Sequence, residues 1–325
     1  MEWGPLTLQD ARPLARLRAE VAAADRTGEA HNVDDVRDQL SHHLIDLAGG
    51  TLAARDGDRL VAFGYLPVRQ SADGGVHMMR LGGGVHPAYR GRGHGRRIVD
   101  WAIAAAPRLS GRVFPGVPVD LLLVADEDDP GLTALAERTG FTLVRTFAHM
   151  ERGLAGGLPA LAAPPGVSVT TWSPELDDEA RRVRNESFRD HWGTVPHTPE
   201  SWAGSLTGSR NFRPESSFLA MAGGRGVGVL MTHARGAGTA WIQVVGTLKD
   251  WRGKGVAGAL MAHALAAFAR QGYAASGLGV DLGNATGAVA VYTRAGFAVT
   301  RRQANHTLRL TQGEARHEPG VPVPE

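Results

Sequence analysis

The sequence predicts two tandem copies of one α/β fold, and a repeated turn, a repeated dipeptide and an uncharged joint carry that expectation. A basic glycine turn follows an apolar strand candidate and opens an amphipathic helix twice, at Arg90-Gly91-Arg92-Gly93-His94-Gly95 and at Arg252-Gly253-Lys254-Gly255-Val256-Ala257. The two turns lie 252 minus 90, or 162, residues apart, and Gly140-Phe141 recurs as Gly296-Phe297 at nearly the same offset, 156. Landmarks recurring at one offset mark a duplicated unit. Between the copies, Gly153–Gly166 (GLAGGLPALAAPPG) has neither charge nor apolar period, the signature of a linker.

In the first copy, residues 1–153, helices are expected over Gln9–Ala24 and Val33–His42, the latter capped by Asn32. Strands are expected at Thr51–Arg55 and Leu60–Arg69, joined through the hairpin signal Asp56-Gly57. Val76–Val85 enters the glycine turn, and the helix behind it repeats Ile98, Ala102, Ile103 and Ala106 at helical spacing. Val117–Ala125 is the next strand, and Asp126–Pro130 starts a short helix. The second copy, residues 167–312, opens with a strand at Val167–Thr171 and a helix from Pro174 toward Phe188. A polar, aromatic loop from Asp190 to His197 precedes a helix at Pro199–Leu206. Strands at Ser217–Ala222 and Gly226–Ala234 then lead to the central strand, Trp241–Val245. After its glycine turn comes a helix with Val256, Leu260, Met261, Ala264, Leu265 and Phe268 on one face. Ala274–Leu282 is a strand, Asn284–Arg294 a short helix with Tyr292, and residues 313–325, with three prolines near the end, form a disordered tail.

Composition narrows the function. The 325 residues suffice for two cores, and 43% apolar with 21% charged residues is ordinary for a globular chain. A formal charge of +2 spread along the chain gives no polyanion-binding block, so nucleic acid is not expected as a partner. The absence of cysteine excludes disulfides, thiolate metal sites and a cysteine acyl-enzyme. Acyl chemistry in this chain must therefore use another nucleophile or go directly. No basic and apolar leader and no 18-residue apolar run is present, so the expectation is a cytoplasmic protein, monomer or homodimer, away from membranes.

Glycines in the two turns let the backbone bend and keep side chains away, so that N–H groups at a helix N-terminus can point into a concavity that favours an anion. The reading is a diphosphate cradle. It is not a P-loop, because no G-x-x-x-x-G-K-[ST] occurs, and no G-x-G-x-x-G follows a strand in the second copy.

The order strand, R-x-x-G-x-A, helix, strand, Asn, then a helix ending in Tyr-x-x-x-Gly-Phe resembles the GCN5-related N-acetyltransferase (GNAT) family over most of Gly238–Leu310. The resemblance implies two tandem GNAT folds, each a mixed, mostly antiparallel central sheet flanked by helices. It also implies acetyl-CoA as acyl donor and no metal. Val245, Gly246 and Thr247 would offer backbone groups to the pantetheine arm, and Arg252, Gly253, Lys254, Gly255, Val256 and Ala257 would hold the diphosphate. Asn284 is similar to the family's CoA-contacting Asn, although it stands eight residues before the Tyr where the family usually has seven. Arg90, Gly91, Arg92, Gly93, His94 and Gly95 are the equivalent cradle in the first copy. There, Ala136 stands where Tyr292 stands and Asp128 where Asn284 stands, so catalysis is assigned to the second copy.

Tyr292 would then protonate the departing thiolate, as a phenol with pKa about 10 can at neutral pH. Asp281, at the end of the strand before Asn284, is the first candidate for the base. His191 and Glu186 are alternatives, a water could serve instead, and Glu186, His191 and Trp192 would face the acceptor. The tandem arrangement resembles the mycothiol synthase group, in which the C-terminal copy is active. Where that group carries a glutamate at the start of the central strand, this chain reads Thr239-Ala240-Trp241. The expected function is direct acetylation of a small primary amine; the alternatives are a non-catalytic acyl-CoA-binding regulator and a protein or peptide N-acetyltransferase.

Overall fold

The computed structural model describes residues 1–27, 32–72, 75–158, 162–235, 238–283 and 287–312. The first half runs β1 (Glu2–Gly4), α1 (Ala11–Ala24), α2 (Val33–Ser41), β2 (Thr51–Asp56), β3 (Arg59–Tyr65), β4 (His77–Arg80), β5 (Gly82–Val85), α3 (His94–Gly111), β6 (Val119–Asp126), α4 (Pro130–Arg138) and β7 (Thr142–Gly153). The caps follow the sequence. Asn32 Oδ1 accepts from the Asp35 N–H at 2.7 Å, and Asp129 Oδ1 accepts from the Leu132 N–H at 2.8 Å ahead of a proline at the start of α4.

The second half runs β8 (Val167–Thr171), α5 (Asp177–Ser187), α6 (Pro199–Trp202), β9 (Phe218–Ala222), β10 (Arg225–Arg235), β11 (Thr239–Thr247), α7 (Val256–Arg270), β12 (Ala275–Asp281), α8 (Ala288–Arg294) and β13 (Ala298–Leu310). The helix expected over Pro199–Leu206 is α6 followed by a π-helical turn over Ala203–Thr207. Residues 313–325, expected to be a disordered tail, lie outside the described residues.

The chain divides into two compact units, Met1–Val144 with Ala304–Glu325, and Arg145–Gln303. These are not the repeats of the sequence, residues 1–153 and 167–312. In the first unit β1–β2–β3–β5 form one antiparallel group, and β4–β6 continue to residues 304–310 of β13. There Asp120 accepts from both Arg309 Nε and Arg309 Nη2, and Gln312 Nε2 donates to the carbonyls of Phe114 and Val117 at 2.8 Å. In the second unit the order is β13 (residues 298–303), β7, β12, β11, β10, β9, β8. Strand β7 pairs antiparallel with β12 from Gly153 opposite Ala275 to Phe147 opposite Asp281. Each unit thus takes a strand from the other half of the sequence, β13 beside β6 in the first and β7 between β13 and β12 in the second. The expected linker, residues 154–166, is partly core as well. Leu154 is buried in the second unit's main cluster and its N–H donates to the Ala274 carbonyl, because β7 delivers it there directly.

The expected strand Val76–Val85 is interrupted at Leu81. Its first part, β4, pairs parallel with β6 as far as Arg80 opposite Leu122, and its second part, β5, pairs only with β3. In the second unit β11 pairs parallel with β12 only as far as Ile242 opposite Leu278, while staying on β10 to Thr247. The two stopping points are related by the sequence offsets, 80 to 242 and 122 to 278. A register shift between Met231 and Thr232 leaves Gln243 as an extra residue on β11, a bulge at the point of departure. Beyond it the edge of β11 that faced β12 is free of that strand. Each unit therefore has a gap opening between two central strands.

Candidate active site

In the second unit the gap becomes a cavity of about 470 Å³. Ile242, Gln243, Val245, Gly246 and Thr247 line it from β11, and Leu278, Gly279, Val280 and Asp281 from β12. It opens through the sheet. Ile242, Leu278, Val280, Val256 and Tyr292 belong to the core cluster on the α7 and α8 side, whereas Phe188 packs in the cluster around α5 and α6.

The turn expected to cradle a diphosphate sits at one end. Lys249–Trp251 form a single helical turn, and α7 begins at Val256 behind Gly255. Gly253 and Gly255 have φ of +74° and +89°, and a Cβ built on either meets nothing within 4 Å, so the surface over the turn is open. An L-residue in that left-handed region costs roughly 1–2 kcal/mol, which is the physical reason for glycine there. The α7 N-terminus presents orphan N–H groups and a partial positive charge, and Gly253, Gly255, Val256, Ala257 and Gly258 line the cavity. The expected Arg252 also lines it, but its guanidinium is engaged. Nε donates to the Thr247 carbonyl at 3.2 Å and Nη2 to the Ser187 carbonyl at 2.9 Å. Lys254 lies over the Trp251 ring, 5.1 Å from its centroid, and is outside the lining.

The first unit repeats this turn in detail. Pro87–Tyr89 form the helical turn, Gly91 and Gly93 have φ of +72° and +83°, and α3 begins at His94 with Gly95 in its first turn. Arg90 Nε donates to the Val85 carbonyl at 3.1 Å, as Arg252 does to Thr247, and its two Nη atoms bind Asp25. Arg92 lies over Tyr89 at 5.3 Å, as Lys254 lies over Trp251. Ala136 is fully buried where the second unit has Tyr292. The first unit thus has the turn without the phenol.

Tyr292 is 8% exposed, and burial pushes its phenol up to about 12. It lies on α8 and lines the cavity, as does Asp281 at the end of β12. One Asp281 oxygen accepts from the Gly283 N–H at 2.8 Å. His191 also lines the cavity. Burial pushes its imidazole below the usual histidine range, the Arg252 guanidinium pushes the same way, and Asp281 opposes. Trp192 lies against Phe147, with ring centroids 6.4 Å apart. Glu186 is not brought to the site: it is exposed on α5, ion-paired with Arg182 at 2.9 Å, and absent from the lining. Asn284 falls in residues 284–286, outside the described residues.

Sequence reasoning missed Phe147, Ser187, Phe188, Gln243, Trp251 and Arg294 in the lining. One signal was available. Gln243 is a polar residue in the middle of the apolar run Trp241–Val245, as a bulge at a strand edge permits. Gly246 has a local reason too: a Cβ there would stand 2.2 Å from Ser187 Oγ, so its lack of a side chain lets the end of α5 close on β11.

A central strand that parts from its neighbour, with a glycine turn at its end and a buried phenol across the gap, defines a pocketed α/β site with an open helix N-terminus. The acetyltransferase (GNAT) family matches residues 16–141 and 178–297, and the chain belongs to that family. The chain is 32% identical to a mycothiol acetyltransferase of Thermobispora bispora over 298 residues, covering 86% of this chain and 91% of that protein. It is 31% identical to a mycothiol acetyltransferase of Streptomyces coelicolor, covering 86% of each chain. Among solved structures, a GCN5-related N-acetyltransferase from Sphaerobacter thermophilus superposes with a TM-score of 0.76 at 27% identity, over 99% of this chain and 97% of that one. A tandem GNAT protein from the clavulanic acid biosynthesis pathway superposes with a TM-score of 0.71 at 21% identity, over 95% and 98% of the two chains, a likeness of fold. Two GNAT regions in one α/β chain are thus established, and the chain is an acetyltransferase by family.

Proposed function

We propose that the chain transfers acetyl from acetyl-CoA directly to a primary amine of a small molecule, with the chemistry in the unit Arg145–Gln303. The observation that carries this reading is the cavity at the parting of β11 and β12, which joins the glycine cradle to Tyr292 and Asp281 in one space. The open surface over Gly253 and Gly255 suits a diphosphate held by backbone N–H groups, and the free edge of Val245, Gly246 and Thr247 suits an extended amide-bearing arm. The small-molecule character of the acceptor agrees with the names of the relatives, which are mycothiol acetyltransferases.

The amine must reach the acetyl carbonyl uncharged, and the sulfur that leaves must be neutralised. Asp281, with one oxygen held by Gly283, attracts the ammonium and accepts its proton, and the neutral imidazole of His191 beside it relays that proton to solvent. As the nitrogen–carbon bond forms and the carbon–sulfur bond breaks, Tyr292, whose proton burial retains until then, donates it to the sulfur, and the phenolate left behind recovers a proton as the acylated nitrogen gives up its remaining extra one. The first unit, with Ala136 in the equivalent place, retains the turn without this acid and is assigned a supporting role. The test is release of free thiol from acetyl-CoA by the full chain across a panel of primary amines, with calorimetric titration of coenzyme A. Turnover with at least one amine and saturable binding are expected. Binding without turnover of any amine would favour a regulator instead.

A further inference from the structure

The two ends of the cavity differ in chemistry. On the α7 and α8 side lie the glycine turn and Tyr292; on the α5 side the wall is made by Phe188, His191 and Trp192 with Phe147 of β7. These rings are ordered in pairs, Phe188 on His191 with centroids 4.5 Å apart and Phe147 with Trp192. Asp281 is the one carboxylate in the lining among the described residues. The Ser187 hydroxyl donates to the Arg184 carbonyl, and Arg252 spends Nε and an Nη2 hydrogen on two backbone carbonyls, while Thr194, Gln243, Thr247 and Arg294 supply further polar side chains to the lining.

From this we infer that the acceptor is a monoamine carried on an aromatic body, its ammonium read by Asp281 and its ring lying against Phe147, Phe188 and Trp192. The inference rests on the proposed acetyl transfer and names its substrate class. Aromatic faces attract a cation and bury a flat apolar body well. A polyhydroxylated amine would need a hydrogen-bonding partner for each hydroxyl it buries against Phe147, Phe188 and Trp192, and each one left unmatched lowers affinity by about tenfold. A polyamine would bring further cations to a wall with one carboxylate.

The experiment measures kcat/KM of the full chain for phenethylamine, glucosamine and spermidine at fixed acetyl-CoA. Phenethylamine is expected to lead both others by at least about tenfold. Trp192→Leu, which keeps apolar bulk, should raise the KM for phenethylamine several-fold while leaving the KM for acetyl-CoA unchanged, because the ring stands on the acceptor side. Asp281→Asn should remove the preference for phenethylamine over its uncharged analogue, phenethyl alcohol, in competition assays. Preference for glucosamine or spermidine overturns the acceptor class while leaving acetyl transfer standing. No turnover of any amine overturns the transfer itself and this inference with it.

Discussion

Arg252 Nη2 donates to the Ser187 carbonyl at 2.9 Å, tying the turn that precedes α7 to the last residue of α5. The same guanidinium holds the Thr247 carbonyl, so one side chain fixes both strand end and helix end around the cavity mouth. Arg252→Ala is therefore expected to cost about 1–3 kcal/mol of stability, the range for charged hydrogen bonds lost from a partly buried site, while coenzyme A affinity changes less than about tenfold, because in the proposed mode backbone N–H groups hold the diphosphate. Denaturant unfolding and calorimetry separate the two effects. An unchanged midpoint with a hundredfold loss of affinity would make Arg252 a direct anion ligand.

Gly255 and Gly93 occupy equivalent turns, but only the unit of Gly255 carries the phenol. Gly255→Val is expected to abolish turnover, both by strain at φ +89° and by placing methyl groups where the diphosphate would lie. Gly93→Val should spare most of it. The reverse result in steady-state assays would move the chemistry to the first unit.

Tyr292→Phe should lower kcat by about 10²–10⁴ with little change in acetyl-CoA affinity, the span for loss of a general acid. The phenol also leaves a mark on stability. Its value is 10 when unfolded and about 12 when folded, so at high pH the unfolded chain loses the proton first. That contribution is intact below pH 10 and falls as pH rises toward 12, by about 3 kcal/mol in all. Unfolding curves at pH 9 to 12 should show the fall in the parent and not in the Phe variant; parallel curves would contradict a buried phenol.

Glu179 accepts from Arg182 at two sites and from the Gly226 N–H, pinning α5 to the start of β10. The Arg182 hydrogen bonds, with help from that N–H and against a smaller desolvation, lower its carboxyl to about 2. Its stabilisation is complete above about 4.5 and disappears as pH falls through 2. Glu179→Gln is expected to cost about 1–2 kcal/mol near neutral pH, discounted for the partial exposure of the pair, and to flatten acid denaturation between pH 5 and 2. Superimposable acid titrations of parent and variant would remove the clamp from consideration.

The glycine turns and Tyr292 were legible because their chemistry is local: a few residues fix a left-handed backbone and a helix start. So was the repeat itself. The exchange of β7 and β13 was not, since both follow a Gly-Phe turn and nothing in a strand's own residues names its distant partner. Phe147 entered the cavity lining by that exchange. Phe188 was hidden for another reason, lying just past α5 where it reads as an ordinary apolar helix end. The base assignment illustrates the same limit, for Glu186 and His191 are five residues apart and only folding turns one outward and the other in.

A fragment of residues 167–312 would leave β12 without β7, its partner from Ala275 to Asp281. Residues 145–303 keep it. The longer-bounded fragment, 145–303, is expected to melt cooperatively in circular dichroism and the other to lack a transition. Equal melting of both would show that β7 is dispensable.

The borrowed strand also sets an order of events during synthesis. Ala304, where the chain rejoins the first unit, is translated 160 residues after Val144. At 5–20 residues per second that is a delay of roughly 10–30 s. Throughout it β6 waits with an unpaired edge, so the nascent first half is exposed to mispairing and chaperone capture until the other half has emerged, and any stall of the ribosome in the second half lengthens that vulnerable interval.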